Sequence, residues 1–298
     1  MGAAIPRAVH DSILLEMQHV LSQSYFKRKS VIEFLNELIT NEKLTVGQPD
    51  SFWSSVNFLN IQRGGSSQRY MLQQFDAILR NILGFGIDSC GSQSGPFVYI
   101  DDVIFSGNRI RHDLESWIKS NAPQSCIIHV IVIASHSSGE WYATREIKRA
   151  ALAAGKNIKV YWWRCVEIED RKSCINLSDV LRPTLIPDDV ETQHYVEKLS
   201  NQGYPPLIRT VLDPPHQSNF FSSERGRQIL EQNFLIVGVR IRQICPFLPE
   251  QIRPLGYSLL RTLGFGSVIV TFRNCPNTCP PALWAGNPWY PLFQRKTN

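Results

Sequence analysis

Residues 96–109, with the sequence PFVYIDDVIFSGNR, are the stretch that predicts the fold. The four apolar residues 97–100 are typical of a buried strand, and the carboxylates of Asp101 and Asp102 follow them directly. A small turn, 106–108, then leads into a helical pattern. Helix N-termini bind phosphate through free backbone N–H groups, and adjacent acids suit ribose hydroxyls or a Mg²⁺ ion bound to them. The stretch therefore predicts a site for a phosphorylated sugar; the alternative is a Rossmann-like strand whose acids serve another phosphate or metal ligand.

The order of these residues resembles the phosphoribosyl pyrophosphate (PRPP) motif of type I phosphoribosyltransferases. In that motif, four apolar residues, two acids, two apolar residues and one variable residue precede a Ser/Thr-Gly turn. The resemblance implies that Asp101 and Asp102 contact the ribose hydroxyls and, through them, Mg²⁺, which is the expected cofactor. It also implies a 5′-phosphate loop formed by Ser106, Gly107, Asn108 and Arg109.

Two residues depart from the motif. Phe105 stands where many purine-salvage members carry an Asp that acts on the base, so the resemblance does not extend to classical purine salvage. Arg109 stands where a Thr usually caps the phosphate, and a guanidinium binds phosphate well through its planar fork of donors. We therefore expect a 5′-phosphate loop in which an arginine binds the phosphate and the usual acidic proton acceptor is missing.

A second unit of strand, glycine-rich loop and helix is predicted upstream. Residues 52–61 are expected to form a strand, and apolar residues between 71 and 82 recur at helical spacing. Only residues 84–96 separate this helix from the acid motif, so the long flexible loop that normally shields the reaction from water is short or missing. The loop between the strand and the helix resembles the pyrophosphate loop of phosphoribosyltransferases and consists of Arg63, Gly64, Gly65 and Ser66.

Downstream of the motif, the pattern continues to alternate between strands and helices. Residues 127–134 form a nearly continuous β-branched run typical of a buried parallel strand, a helix is predicted over 140–154, and a strand over 158–163. Binding residues collect at the carboxyl ends of such strands, so His136 and Glu140 are candidates for the cleft. The alternative is that the polar loop around them mainly caps the following helix.

The segments around this core are predicted to be largely helical, and a final strand over 266–272 is expected to return to the sheet. The fold class is therefore α/β: a doubly wound, mostly parallel sheet of the phosphoribosyltransferase type with N-terminal helices and a helical insertion. We expect an N-terminal helical segment, a phosphoribosyltransferase-like core in two pieces, and an inserted helical lobe, with boundaries at 1–50, at 51–175 with 251–298, and at 176–250. Individual helices outside the core are predicted over 11–23, 29–40, 189–202 and 222–244.

Arginines recur along the last of these predicted helices, between apolar residues. The pattern favours a solvated basic face over a dedicated nucleic-acid surface. The arginines concerned are Arg225, Arg227, Arg240 and Arg242.

The C-terminal tail narrows the resemblance. After the strand comes RNCPN at 273–277, and PALW and WYPLF follow. This combination looks like a branch of phosphoribosyltransferase-like proteins from bacterial conflict and anti-phage defence systems, some of them encoded beside retron reverse transcriptases. The resemblance implies that Asn274 and Asn277 point into the ligand cleft.

Composition sets wider limits. The 298 residues are 43% hydrophobic and 19% charged, enough for a sizeable core, and the net charge of +5 permits contact with nucleic acid without arguing for it. Seven cysteines without paired spacing, and no recognisable secretory leader, lead us to expect free thiols and a cytoplasmic location. No apolar run approaches the ~20 residues that span a bilayer.

Two functions of different classes are compatible with these observations. The first is an enzyme, the effector of a retron-type defence system, that binds PRPP or a nucleotide and carries out Mg²⁺-assisted pentosyl transfer. The second is a catalytically inactive nucleotide-binding sensor or scaffold that assembles with a reverse transcriptase and its small DNA or RNA, held by salt-dependent phosphate contacts. A third hypothesis, a nucleotide-regulated transcription factor, is weaker because the sequence shows no convincing helix-turn-helix. Because no apolar run is long enough to span a bilayer, we expect no membrane partner; an oligomer is compatible with the sequence.

Overall fold

The structure is a computed structural model that describes residues 7–245, 247–293 and 295. Its helices are α1 (Arg7–Ser24), α2 (Arg28–Ile39), α3 (Glu42–Thr45), α4 (Pro49–Ser55), α5 (Ser67–Leu83), α6 (Asn108–Ser120), α7 (Ser137–Ala153), α8 (Val190–Asn201), α9 (Glu224–Ile244) and α10 (Pro281–Trp284). Its strands are β1 (Tyr25–Phe26), β2 (Asn57–Phe58), β3 (Phe97–Ile100), β4 (Val103–Ile104), β5 (Ser125–His136), β6 (Asn157–Ile168), β7 (Ile252–Arg253), β8 (Gly256–Tyr257) and β9 (Val270–Thr271).

Contacts within the chain divide it into two units. The sheet unit comprises Arg28–Ile168, and the helical unit comprises Met1–Lys27 with Glu169–Asn298. These limits differ from the boundaries expected at residues 50, 175 and 250. The assignment of those segments to a core and an inserted lobe stays a prediction.

The sheet unit is built on a parallel sheet. Its strands lie in the order β2, β3 with β4, β5 and β6, and every neighbouring pair is parallel. β3 and β4 form one interrupted strand, because Phe97 lies opposite Ile128 and Val103 lies opposite Ala134, which is the same offset along β5. The α/β class with a parallel sheet is therefore confirmed.

Helices cover both faces of this sheet. Side chains alternate between the faces along a strand, and Tyr99, Ile128 and Val130 pack with residues of α6 and α7 in one core cluster. On the opposite face, the ring of His129 packs against Phe52 of α4 at 5.6 Å, and Phe58 of β2 packs against Phe75 of α5 at 5.7 Å. β5 is therefore buried from both sides over most of its length, which explains its nearly continuous apolar run.

Amphipathic spacing explains the helices next to the candidate site. In α6, Ile110, Leu114, Trp117 and Ile118 recur at helical intervals and are all buried. α5 ends at Gly84, which has the left-handed φ of +79° that closes a helix without steric cost. The periodicity in the sequence predicted both helices correctly.

The strand predicted over residues 52–61 is mostly wrong. Residues 49–55 form α4, and only Asn57 and Phe58 form a strand. Pro49 favours a helix start, since its missing N–H would be unpaired there in any case. The indole of Trp53, fully buried, donates a hydrogen bond to the carbonyl of Ile39 at 2.8 Å and thereby holds α4 in place.

In the helical unit, the helices predicted over 189–202 and 222–244 are confirmed as α8 and α9, and α1 packs on α9. The strand expected to return to the main sheet does not do so. β9 instead pairs in parallel with β1, with Val270 opposite Tyr25. The apolar run predicted the strand, but a short strand carries no information about its partner. Among the described residues of both units, no helix is long and apolar enough to cross a bilayer.

The basic face predicted for α9 is also wrong. Only Arg225 of the four arginines is exposed. Arg227 is buried and pairs with Glu231 at 2.7 Å, and Arg240 pairs with Asp189 at 3.4 Å. Arg242 donates to the backbone carbonyls of Pro249 and Ile252. These guanidinium groups therefore bond to partners within the helical unit. The prediction failed because helical periodicity does not tell which face of a helix meets acidic partners.

Candidate functional site

The acid pair lies between β3 and β4, where this strand of the sheet is interrupted. The backbone N–H of Asp101 donates to the carbonyl of Ile131 at 3.0 Å, and the carbonyl of Asp102 accepts from Ile133 at 2.8 Å. β5 therefore holds both residues through the backbone, although neither belongs to a regular strand. Their side chains make local contacts at the carboxyl end of β3.

Asp101 is buried and accepts hydrogen bonds from neutral donors. Its carboxylate accepts from the side-chain amide of Gln62 at 3.1 Å and from the N–H of Asp102 at 2.9 Å. Burial, and after it the charge of Asp102, raise the pKa of Asp101 to about 7, against the opposing effects of the Ser67 hydroxyl and Arg109. Near neutral pH this carboxyl is poised between its protonated and ionised forms, as is common at functional sites.

Asp102 is half-buried, and its carboxylate accepts a hydrogen bond from the N–H of Val103 at 2.8 Å. This contact fixes the carboxylate against its own strand. Two adjacent carboxylates in fixed positions are suited to polar hydroxyls or to a cation shared with a ligand.

The predicted phosphate loop connects β4 to the N-terminus of α6. Ser106 is exposed, and Gly107 takes a φ of +70° at the position before the helix. A Cβ on Gly107 would lie 2.1 Å from the carbonyl oxygen of Gly139, and a Cβ on Gly139 would lie 1.9 Å from that of Phe105. The loop therefore rests backbone to backbone on the first turn of α7, which requires glycine at both positions.

The predicted pyrophosphate loop, 63–66, precedes α5. Gly64 and Gly65 are exposed, Gly65 has a φ of +83°, and Ser66 occupies the position before the helix. The guanidinium of Arg109 donates a hydrogen bond to the carbonyl of Gly64. The structure thus brings the 63–66 and 106–109 loops together, with an arginine of one loop in contact with the backbone of the other.

Further side chains that the sequence did not indicate hold the 63–66 loop in place. The fully buried Gln68 accepts hydrogen bonds from the N–H groups of Ile61 and Gln62, both at 2.8 Å. The guanidinium of Arg63 donates to the hydroxyl of Ser116 in α6 at 3.1 Å. No sequence motif marks a glutamine at these positions, so only the tertiary contacts identify Gln62 and Gln68 as residues that support the site.

A third carboxyl lies under the two loops. Asp113, buried on α6, accepts from the hydroxyl of Tyr99 at 2.9 Å and from the backbone N–H of Arg63. Burial raises the pKa of Asp113, against these hydrogen bonds and the charge of Arg109. Burial, with the charges of Asp101 and Asp113, also raises the pKa of Tyr99, so its hydroxyl stays a donor. Sequence reasoning missed both residues. Asp113 occurs at the same helical spacing as the buried apolar residues of α6, and this spacing was the signal that could have identified it as a buried acid.

His136 and Glu140 lie at the end of β5 and in the first turn of α7, on either side of Gly139, which contacts the backbone of the 106–109 loop. The Nδ1 of His136 donates to the carbonyl of Ile104 at 2.9 Å, and its ring packs at 5.1 Å from Phe105. Glu140 accepts from Ser135 at 2.8 Å and pairs with Arg164 at 3.3 Å; burial raises its pKa. Their role in a cleft remains a prediction.

Asn274 and Asn277 belong to the helical unit. The N–H of Asn274 donates to the carbonyl of Thr271 at 3.1 Å, and the carbonyl of Asn277 accepts from Tyr257 at 2.6 Å. These contacts place both residues in a turn after β9. The proposal that they point into a ligand cleft is untested.

The acid pair fits a Mg²⁺ ion that reaches the protein together with a ligand. Within residues 7–245, 247–293 and 295, no group of three or more acids, histidines or cysteines is arranged to hold a metal by itself. Mg²⁺ commonly binds through one or two carboxylates and completes its shell with water and substrate phosphate oxygens. Asp101 and Asp102 supply those two carboxylates, and the neighbouring loops supply places for phosphate.

Comparison with known proteins gives the family. A family model described as PRTase-CE, the phosphoribosyltransferases of conflict systems, matches residues 6–295. The chain belongs to this family, as the acid motif and the C-terminal tail indicated. No curated protein and no solved structure matches the chain.

Proposed function

We propose that the sheet unit binds PRPP or a nucleotide with Mg²⁺ and transfers its pentosyl group, as the effector of a bacterial anti-phage system of the retron type. The observation that carries this proposal is the junction of the two glycine loops, where Arg109 bonds to Gly64 while Gln62 bonds to Asp101. Two phosphate-type loops and an acid pair at one edge of a sheet match a sugar that carries phosphate at both ends.

In this proposal, the loops bind the two phosphate ends of the ligand. The backbone N–H groups of residues 106–108, at the N-terminus of α6, hold the 5′-phosphate. The 63–66 loop, at the N-terminus of α5, holds the pyrophosphate, since glycine lets the backbone approach the ligand closely. Arg109 lies against Gly64 and adds positive charge between the two phosphate positions.

The acid pair orients the ribose between these ends. Ionised Asp101 and Asp102 accept hydrogen bonds from the ribose hydroxyls and would hold Mg²⁺ through ligand oxygens. When bound, Mg²⁺ neutralises charge on the pyrophosphate. The hydrogen bond from Gln62 keeps the Asp101 carboxylate in position for the sugar.

The reaction class is a substitution at ribose C1. The bond between C1 and the pyrophosphate oxygen breaks, pyrophosphate leaves with the electron pair, and a bond forms from C1 to the acceptor, which loses a proton. The protein contributes mainly by positioning and by electrostatic stabilisation. Phe105 offers no proton acceptor, so the acceptor's proton goes to solvent or to the released pyrophosphate.

A second candidate function, a nucleotide-binding sensor or scaffold without catalysis, is favoured by two observations. The ring of Phe105 packs against His136 at the position where related enzymes carry an acid. The connection 84–96 is tied down, because Arg80 pairs with Asp88 at 2.6 Å and Asn57 donates to the carbonyl of Ser92 at 2.8 Å. A tied connection does not serve as a mobile lid. In this function, a reverse transcriptase with its DNA or RNA is the partner.

One experiment separates the two functions. The full chain is incubated with PRPP and Mg²⁺; ligand binding is measured by calorimetry, and released pyrophosphate by a coupled assay. The test variants are Asp101→Asn and Asp102→Asn. The matched control is Asp50→Asn, an exposed aspartate in α4 of the same unit.

Transfer predicts pyrophosphate release by the wild type and by Asp50→Asn, and a loss of about 100-fold or more in the acid-pair variants. Binding without release in the wild type supports the sensor function. Absence of binding to PRPP and to nucleotides overturns both. A nucleic acid that copurifies with the chain and is lost at high salt supports the scaffold function with a reverse transcriptase.

A further inference from the structure

β6 is an edge strand. It is 12 residues long, and among the described residues it pairs only with β5, from Asn157 opposite Ser125 to Ile168 opposite His136. Its other edge carries outward backbone N–H and C=O groups as far as Val166, since Ile168 at the end of the strand is buried. Long edges of this kind are open to pairing with another strand unless charges, proline or bulges protect them, and β6 contains no proline.

The pairing with β5 shows which backbone groups face outward. The N–H of Asn157 donates to the carbonyl of Gln124 at 2.9 Å, so Asn157 points its backbone groups toward β5. In a parallel pair such residues alternate with residues whose N–H and C=O groups point away. The outward residues are therefore Ile158, Val160, Trp162, Arg164, Val166 and Ile168.

The sequence of β6 is complementary to itself in an antiparallel arrangement centred on Trp163. In this register each outward residue faces another outward residue, for example Val160 opposite Val166. Because Ile168 is only 1% exposed, the pairing runs from Val160 to Val166 and gives about eight hydrogen bonds between the strands. On the alternate positions, Lys159 lies opposite Glu167 of a second copy, once at each end. Within its own chain Glu167 pairs with Arg164 and accepts a hydrogen bond from Ser137 at 3.0 Å, but its side chain remains 52% exposed. Lys159 is exposed.

Neighbouring registers are less favourable. A shift centred on Arg164 places two arginines directly opposite each other, which is destabilising. A shift centred on Trp162 places Lys159 opposite Cys165 and loses both ion pairs. The outward backbone groups exclude the intermediate registers, because they would place outward residues opposite inward ones.

We propose that β6 is the interface of a homodimer, in which two copies pair their β6 strands antiparallel about Trp163 and form one continuous eight-stranded sheet. Because the strands of one copy then run opposite to those of the other, the two acid motifs lie at opposite edges of this double sheet. The interface is separate from the proposed ligand site and does not depend on its chemistry.

Charge exchange tests the register. In Lys159→Glu, glutamate faces Glu167 at both ends of the interface; in Glu167→Lys, lysine faces Lys159. Each variant alone is expected to dimerise about tenfold or more weakly than the wild type. An equimolar mixture of the two variants restores complementary pairs at both ends, so it is expected to form a heterodimer.

The measurements are sedimentation velocity across a concentration series and native mass spectrometry of the mixture, both on the full chain. Lys148→Glu reverses the charge of an exposed lysine on α7 and is the matched control that should leave the dimer intact. A wild type that stays monomeric overturns the proposal. So does a dimer that both single variants retain, or a mixture that forms no heterodimer after each variant alone has lost the dimer.

A backbone variant keeps the test decisive if Glu167→Lys perturbs folding. Val160→Pro removes an outward N–H and leaves every bond from β6 to β5 in place, as proline on an edge strand does. A circular dichroism melt close to that of the wild type shows that the variant is folded. Loss of the dimer in this folded variant supports edge pairing, and an unchanged dimer overturns it.

Discussion

Each unit of the molecule buries a cluster of charged side chains, and the two clusters are compensated differently. In the helical unit, Arg209, which is 3% exposed, pairs with Glu224 at 2.6 Å and with the fully buried Glu231 at 3.0 Å. In the sheet unit, Asp101 and Asp113 accept hydrogen bonds from neutral donors, and burial raises the pKa of both.

The difference separates a structural use of buried charge from a functional one. The paired cluster neutralises itself and joins α9 to the segment that contains Arg209. The carboxyl cluster makes ionisation costly in the protein alone, and a cation or hydrogen-bond donors from a ligand would relieve that cost. Buried groups with perturbed pKa values next to glycine loops are therefore the candidates for binding.

The largest expected effect is the loss of one partner from the paired cluster. Arg209→Met leaves Glu224 without its paired cation and leaves Glu231 with Arg227 alone, which should lower the free energy of unfolding by about 3–5 kcal/mol. Urea denaturation measures this loss. Arg145→Met, which removes an arginine that is 45% exposed on α7, is the control and should cost less than about 1 kcal/mol. Equal losses of unfolding free energy in Arg209→Met and Arg145→Met would contradict the structural role of the buried ion-paired cluster.

The pH dependence of Asp101 is the next largest effect. Its pKa is raised from 3.8 to about 7 in the folded chain, so between these values the folded state binds more protons than the unfolded state. The contribution of Asp101 to stability therefore falls as pH rises through this window, by up to about 1.4 kcal/mol per pH unit. Asp101→Asn removes this slope.

The test compares the unfolding free energies of the wild type and Asp101→Asn at several pH values from 5 to 8. The difference between the two isolates Asp101, because most other titrating groups cancel. The variant should gain stability relative to the wild type as pH rises. If the two curves of unfolding free energy against pH are parallel, the pKa of Asp101 is not raised. Asp101 would then be a compensated charge like those of the Arg209 cluster.

An exposed ion pair should give the smallest effect. Lys29 lies 3.7 Å from Glu33 on α2, and its side chain is 86% exposed. Lys29→Ala should change the free energy of unfolding by less than about 0.5 kcal/mol, because solvent screens the pair. Thermal melting at low and high salt measures it. A loss comparable to that in Arg209→Met would mean that burial does not explain the difference between the clusters.

Much of the sheet unit follows from local patterns. The apolar run of β5 and the apolar spacing of α6 each predict an element correctly, because a single face or a continuous run decides burial there. The strand predicted at 52–61 fails, since the buried indole of Trp53 and its bond to Ile39 favour a helix that local pattern does not show. The basic face predicted for α9 fails because helical spacing does not show which arginines are buried against partners, such as Arg240 against Asp189.

The sequence by itself determined the strand, the acid pair, the glycine turn and the following helix, and with them the family. These features depend on residues close together in the chain, whose order limits the local backbone. Only the tertiary structure decided that Arg109 reaches Gly64, that Gly107 rests on Gly139, and that Asp101 is buried enough for its pKa to reach about 7. Desolvation and close backbone contact depend on what packs against a residue, and segments far apart in the chain supply that packing.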